Sequence, residues 1–292
     1  MNPTLQRTIL YGSTLLALGA LVPIYHCVQT DADVGTLLSS VDVQLRMAYS
    51  IPATDQHGKP LSERLRMIAD AEKNLEIVER VAPGMATTAE FRGFAHSLRG
   101  EFVQAAACYE RARRCTDVQA EQSDVLAFNQ ARMLTQGGRH EQALAVFAAN
   151  AKALDSRFGT QRSLEEAAIL RQLNRADEAI ARLDRVRDDA AASPMAWLQA
   201  GVEYMNLGRA DAAESLLTRA EKDVPFAAYH LARLKLQQGD VDTTLDLLGR
   251  AAKAQPAEVR RQLAQQADAW SAVAGDARFQ EITRSGPAAP AR

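Results

Sequence analysis

Five turn residues, Gly100, Gly138, Asn174, Gly208 and Gly239, recur along the chain at separations of 38, 36, 34 and 31 residues. A period of that size means one helical hairpin per interval, and it restricts the fold to a stack of hairpins in which each unit covers the apolar face of the next. The segments carrying the turns read alike: LRGEFVQAAACYERA, TQGGRHEQALAVFAAN, RQLNRADEAIARLDRV, MNLGRADAAESLLTRA and LQQGDVDTTLDLLGRA. Gly or Asn closes the first helix of each pair because these residues enter the left-handed backbone region at little cost.

Small and large residues keep fixed places around each turn. Seven residues before it stand Gly93, Ala131, Ala167, Gly201 and Ala232, and five residues after it Ala105, Ala143, Ala179, Ala213 and Thr244. They let the two helices of a hairpin approach closely. Four residues further on, Tyr109, Phe147, Leu183, Leu217 and Leu248 fill the next space. The apolar period is helical throughout, and the low aromatic content of 5% with abundant Ala and Leu excludes a strand-rich fold.

At this point the chain resembles the tetratricopeptide repeat family. The best single match is WLQAGVEYMNLGRADAAESLLTRAEKDVP, with Trp197, Gly201, Tyr204, Gly208, Ala213, Ala220 and Pro225 at the motif positions. The other four hairpins keep the small residues and the turn but lose the Trp, and Thr244 departs from the usual alanine. The resemblance implies an all-α solenoid with five repeats over 86–256. A degenerate hairpin over 31–85 precedes them, with helices Val34–Ser50 and Ala71–Pro83 around the loop Pro52–Pro60. Beyond Pro256 an amphipathic helix, AEVRRQLAQQADAWSAV, reads as the cap of the last hairpin within 257–284. Asp276, Arg278 and Phe279 match the acid-and-aromatic ending of many bacterial arrays, and residues 285–292 read as a disordered tail.

From Thr8 to Thr30 the chain has no charged side chain; Arg7 precedes the run, and Asp31 and Asp33 follow it. The length suits one membrane-spanning helix, and the charge asymmetry directs the body to the trans side, periplasmic or extracellular. Residues 8–30 would then contact the lipid bilayer. A cleaved signal peptide with Ala20 before the cut is the rival, leaving a secreted or periplasmic body. Cys27, Cys108 and Cys115 describe no disulfide framework. On one helix, the last two would stand about 10 Å apart, too far to pair.

No phosphate-binding loop, dinucleotide fingerprint, nucleophile elbow or HExxH zinc motif occurs, and the five histidines are dispersed. The reading is therefore not an enzyme, with no cofactor and no metal. Acidic and basic residues nearly balance, at 36 and 34, without a basic cluster, so nucleic acid is not an expected partner. The adjacent carboxylates Glu165–Glu166 and Asp188–Asp189 diverge by about 100° on a helix and read as solvated faces.

What remains is the inner surface that first helices form in this family. Projection places Phe94, Phe128, Arg132, Arg171, Tyr229 and Arg233 there, together with Glu90, Leu164, Leu198 and Val202. Aromatics mixed with Arg are the residue types that anchor peptide interfaces. Packing between repeats is the rival role for Phe128, Leu164, Leu198 and Tyr229, and solubilisation for Arg132 and Arg233. Family members that grip a carboxyl-terminal peptide use Lys and Asn on successive first helices; Asn129 and Arg132 are the nearest approach here, and the Lys positions are absent. The expected function is a membrane-anchored scaffold holding a protein or peptide in a concave groove, in assembly of an envelope complex. The alternative is an accessory or regulatory subunit of an envelope enzyme with catalysis on another chain.

Overall fold

In a computed structural model, which describes residues 33–54 and 58–284, all five turn residues take the left-handed backbone, with φ of 77° at Gly100, 72° at Gly138, 57° at Asn174, 71° at Gly208 and 82° at Gly239. Each turn closes by the same bond, from the amide after the turn residue to a carbonyl five positions back: Glu101 to His96 (3.0 Å), Arg139 to Leu134 (2.7 Å), Arg175 to Leu170 (2.8 Å), Arg209 to Tyr204 (2.9 Å) and Asp240 to Lys235 (3.0 Å). This bond satisfies a carbonyl that the helix end would leave without a partner. The donor's own carbonyl then opens the next helix, accepting from Ala105, Ala143, Ala179, Ala213 and Thr244. Asn174 is the one non-glycine among the described residues with positive φ, and asparagine tolerates it better than other side chains do.

The chain divides after Asn150 into two units. The first holds helix α1 over residues 33–50, α2 (Ser62–Val81), α3 (Ala86–Leu98), α4 (Phe102–Arg113), α5 (Ala120–Gln136) and α6 (His140–Ala149). Helix α2 begins nine residues ahead of the expected Ala71, because Ile68 already occupies the buried stripe that continues through Ala71, Leu75 and Val78. Its core joins Val41 and Leu45 of α1 to Ile68 and Leu75 of α2 and Ala95 of α3. The loop between α1 and α2 carries the single bridge Thr54–Pro60, and the described residues contain no strand. In the α3/α4 hairpin a Cβ on Gly93 would lie 3.0 Å from the Tyr109 ring, so only glycine fits at that contact without displacement.

The second unit comprises α7 (Ala151–Gln172), α8 (Ala176–Asp188), α9 (Pro194–Asn206), α10 (Ala210–Glu221), α11 (Ala227–Gln237), α12 (Val241–Ala254), α13 (Pro256–Gln265), a 3-10 turn (Ala267–Val273) and α14 (Ala277–Arg284). Ser193 caps α9 by accepting from the Ala196 amide at 3.2 Å, with Pro194 fixing the first turn. Helix α7 breaks at Phe158 (φ −130°, ψ 22°). Just beyond the break, buried Arg162 binds Asp155 at 2.7 Å and Glu166 at 2.9 Å, while Arg182 binds the other Glu166 oxygen at 2.5 Å. This corrects the reading of Glu166 as a solvated carboxylate: it is 3% exposed, and the two guanidiniums compensate its charge.

The cap also differs from the single helix expected over Ala257–Val273. Gln266 (φ −124°, ψ 35°) ends α13, and the 3-10 turn then drives Trp270 and Val273, each 1% exposed, into the core of the last hairpin. Phe279 of α14 stacks on Trp270 at 6.2 Å, and Arg278 binds Asp242 at 2.8 Å. The segment 8–30 and the tail 285–292 lie outside the described residues. Among the described residues no helix is long and apolar enough to cross a membrane.

Candidate functional site

In the first unit the first helices α1, α3 and α5 run side by side in the same direction. Gln122, at the start of α5, donates to Glu90, near the start of α3, at 2.8 Å. At the opposite end, Arg64 donates to the carbonyls of Ile51 (2.6 Å) and Leu98 (3.1 Å), joining the ends of α1 and α3. Three parallel helices enclose a groove of 670 Å³. Its lining includes Tyr49, Phe91, Phe94, Phe102 and Tyr109, which are five of the chain's sixteen aromatics (eight Phe, six Tyr, two Trp). Tyr49 is 70% exposed, with its ring centroid 6.2 Å from that of Phe94. Around this floor stand Asp42, Arg46, Arg64, Glu90, Asn129 and Arg132.

One charge pair in the groove is matched in place. Arg46 donates to both oxygens of Asp42 at 2.8 Å, an exposed pair one helical turn apart. Burial pushes the Tyr109 hydroxyl above its ordinary range, and the Glu90 carboxylate and Cys108 push the same way against Arg132. The phenol therefore stays neutral and can donate a hydrogen bond.

Of the residues projected inward, Glu90, Phe94 and Arg132 line this groove, and Asn129 lines it beside them. Phe128 is half-buried beside it and packs on Phe147 with centroids 5.9 Å apart. In the second unit, Arg171 is half-buried and donates to Glu203 at 2.6 Å, tying α7 to α9. Tyr229 is a correction. It is 0% exposed, stacked on Phe226 at 5.2 Å and packed on Trp270 at 5.4 Å, so it is core and presents no surface to a partner. Arg233 is half-buried on the same helix, and burial followed by the Arg233 charge lowers the His230 pKa to about 4. A second depression, of 510 Å³, lies at the α7 break among Ser156, Thr160, Ser163 and Arg185; Thr160 donates there to Asp189 at 2.9 Å. It has no aromatic lining.

Projection missed Tyr49, Phe91, Phe102 and Tyr109. Tyr49 stands on the helix whose repeat pattern is weakest, whereas Phe102 and Tyr109 come from a second helix, which the projection assigned to packing alone. The usable signal was aromatic density: Phe91, Phe94, Phe102 and Tyr109 fall within nineteen residues of a chain that is 5% aromatic.

Fold and groove together define a helical-hairpin repeat protein with tetratricopeptide-like spacing. No family model matches the chain, and no curated protein is similar to it in sequence. Among solved structures it is similar to the crystal structure of BtubC (BKLC) from P. vanneervenii, at 14% identity, over 78% of this chain and 92% of that one, with a TM-score of 0.49. It is also similar to the crystal structure of the APC/C hetero-tetramer Cut9-Hcn1, at 14% identity and a TM-score of 0.47, over 66% of this chain but only 38% of that one.

Proposed function

We infer that this protein is a binding scaffold that holds a segment of a partner protein in the groove between α1, α3 and α5. One observation carries the reading: five aromatic side chains gather around a 670 Å³ groove in a chain that has few aromatics. Such side chains supply large contact area at low entropic cost, which is what an interface anchor requires. The apolar run 8–30 supports an anchored body, or an exported one after cleavage, acting on the trans side of the membrane in an envelope complex. Where that complex has a catalytic activity, it resides on another chain.

The test uses the full chain with Tyr49 and Phe94 both replaced by alanine. A partner recovered by the wild type and lost by the double variant, at an unchanged melting temperature, supports the groove. Recovery of the same partner by both proteins sinks it. Fractionation addresses the amino terminus: an uncleaved anchor stays in the membrane pellet, and a soluble species starting near Leu21 establishes cleavage.

A further inference from the structure

The two ends of the aromatic groove are chemically opposite. At the start of α3, Glu90 accepts one hydrogen bond, from the neutral Gln122 amide on Oε2, while Oε1 accepts none among the described residues. At the far end, Arg64 uses two donors on the Ile51 and Leu98 carbonyls, leaving three of the five that a guanidinium carries. Neither charge has an ionic partner among the described residues. Between them, Asp42 and Arg46 cancel each other as an exposed pair. The groove therefore has a free carboxylate oxygen at one end, free guanidinium donors at the other, and the Phe91, Phe94 and Tyr49 side chains between.

Helix geometry sets the span. Glu90 and Leu98 are eight residues apart on α3, about 12 Å at 1.5 Å per residue. An extended peptide advances about 3.3 Å per residue, so about four residues bridge the same distance. We propose that the groove selects an extended partner segment in which a basic and an acidic residue, about four positions apart, flank one large apolar side chain. The base meets Glu90, the acid completes the donor shell of Arg64, and the apolar group lies on the aromatic floor. This rests on reading the groove as the protein-binding site and adds its charge pattern.

Fluorescein-labelled, end-capped peptides with the core Lys-Ala-Phe-Ala-Glu, and its reversal Glu-Ala-Phe-Ala-Lys, test the pattern against the full chain by fluorescence anisotropy. Diacidic, dibasic and phenylalanine-free versions are the comparison. At least one dipolar peptide should bind about tenfold tighter than either like-charged peptide. The variant Glu90→Gln should erase the preference over the diacidic peptide, and Glu90→Lys should make the diacidic peptide the tightest; a melting curve verifies that each variant is folded, and Glu90→Gln suffices if Glu90→Lys is not. Equal binding of all phenylalanine-containing peptides overturns the charge pattern while leaving the groove reading in place. Absence of binding by every peptide overturns both.

Discussion

Replacing Gly201 by alanine tests the small-residue contact on which the hairpin depends. At an unhindered helix interior this change stabilises by roughly 0.5–1 kcal/mol, because glycine loses more backbone entropy on folding. At Gly201 the new Cβ would stand 2.8 Å from Leu217 Cγ, 2.9 Å from its Cδ2 and 3.4 Å from the Ala213 carbonyl. Carbon atoms at rest approach to about 3.5–4.0 Å, so the overlap is about 0.7 Å, and Leu217, 0% exposed, has no outward path. Strain of this kind costs about 1–3 kcal/mol and reverses the sign. Leu217→Ala alone should cost about 2–5 kcal/mol by opening a cavity. The methyl of Ala at 201 would partly fill that cavity, so the double variant should be more stable than the two single losses summed by about 1–2 kcal/mol. Gly249→Ala is the control: its Cβ would meet only Ile282, at 3.9 Å, and the change should stabilise. Urea denaturation followed by circular dichroism measures all four. Stabilisation by Gly201→Ala, or simple additivity with Leu217→Ala, would refute the packing argument.

The same geometry sets three further outcomes. The folded-state pKa of His230, about 4, lies below the usual 6.5, chiefly through burial and then through the charge of Arg233. The unfolded chain alone takes up this proton, so stability is full above pH 6.5 and falls by at most about 3 kcal/mol on the way to pH 4. His230→Leu, which removes a buried Nδ1 without a hydrogen-bond partner, should flatten urea midpoints across that window. Asn174→Ala should lose about 1 kcal/mol at φ 57° while Asn174→Gly stays near the wild type, and equal melting temperatures would count against backbone strain there. Glu166→Ala leaves Arg162 with Asp155 alone and Arg182 without this carboxylate, and should cost about 1–3 kcal/mol, whereas Glu178→Ala, in an exposed pair, should leave the urea midpoint unchanged; comparable losses would mean that the buried network contributes no more than a surface pair.

The repeat was legible because its determinants are local. A left-handed residue must close each first helix, and the small and large residues beyond it sit at fixed helical offsets, so the close approach of Gly201 to Ala213 was readable from spacing, while the tighter contact of Gly201 with Leu217 was not. The Arg162–Glu166–Arg182 cluster was not legible. Arg162 and Glu166 are an ordinary pair one helical turn apart, but the second guanidinium arrives only with the approach of α8, and Asp155 reaches Arg162 across the break at Phe158. The end of the cap was misread for a related reason. Residues 257–273 keep an amphipathic pattern, but covering the last hairpin requires Trp270 to turn inward, and a straight helix would carry it past the site it fills.

The same limit explains why Phe94 and Tyr229 separated after projection had placed both on the inner face. Each is an aromatic on a first helix, and nothing within a helical turn of either distinguishes them. The difference lies in distant segments of the chain. Tyr229 belongs to the last hairpin, whose open face must be closed, and the chain returns Trp270 to within 5.4 Å of it, with Phe279 behind Trp270. Among the described residues the ring partner of Phe94 on the groove side is Tyr49, at 6.2 Å, and Tyr49 is itself 70% exposed. The aromatic groups that close the array have their partners in the chain, whereas Tyr49 on the groove side of Phe94 retains accessible surface. The gathering of Phe91, Phe94 and Phe102 around one groove, with Tyr49 exposed at its edge, is the physical reason for proposing the groove of α1, α3 and α5 as the partner's site.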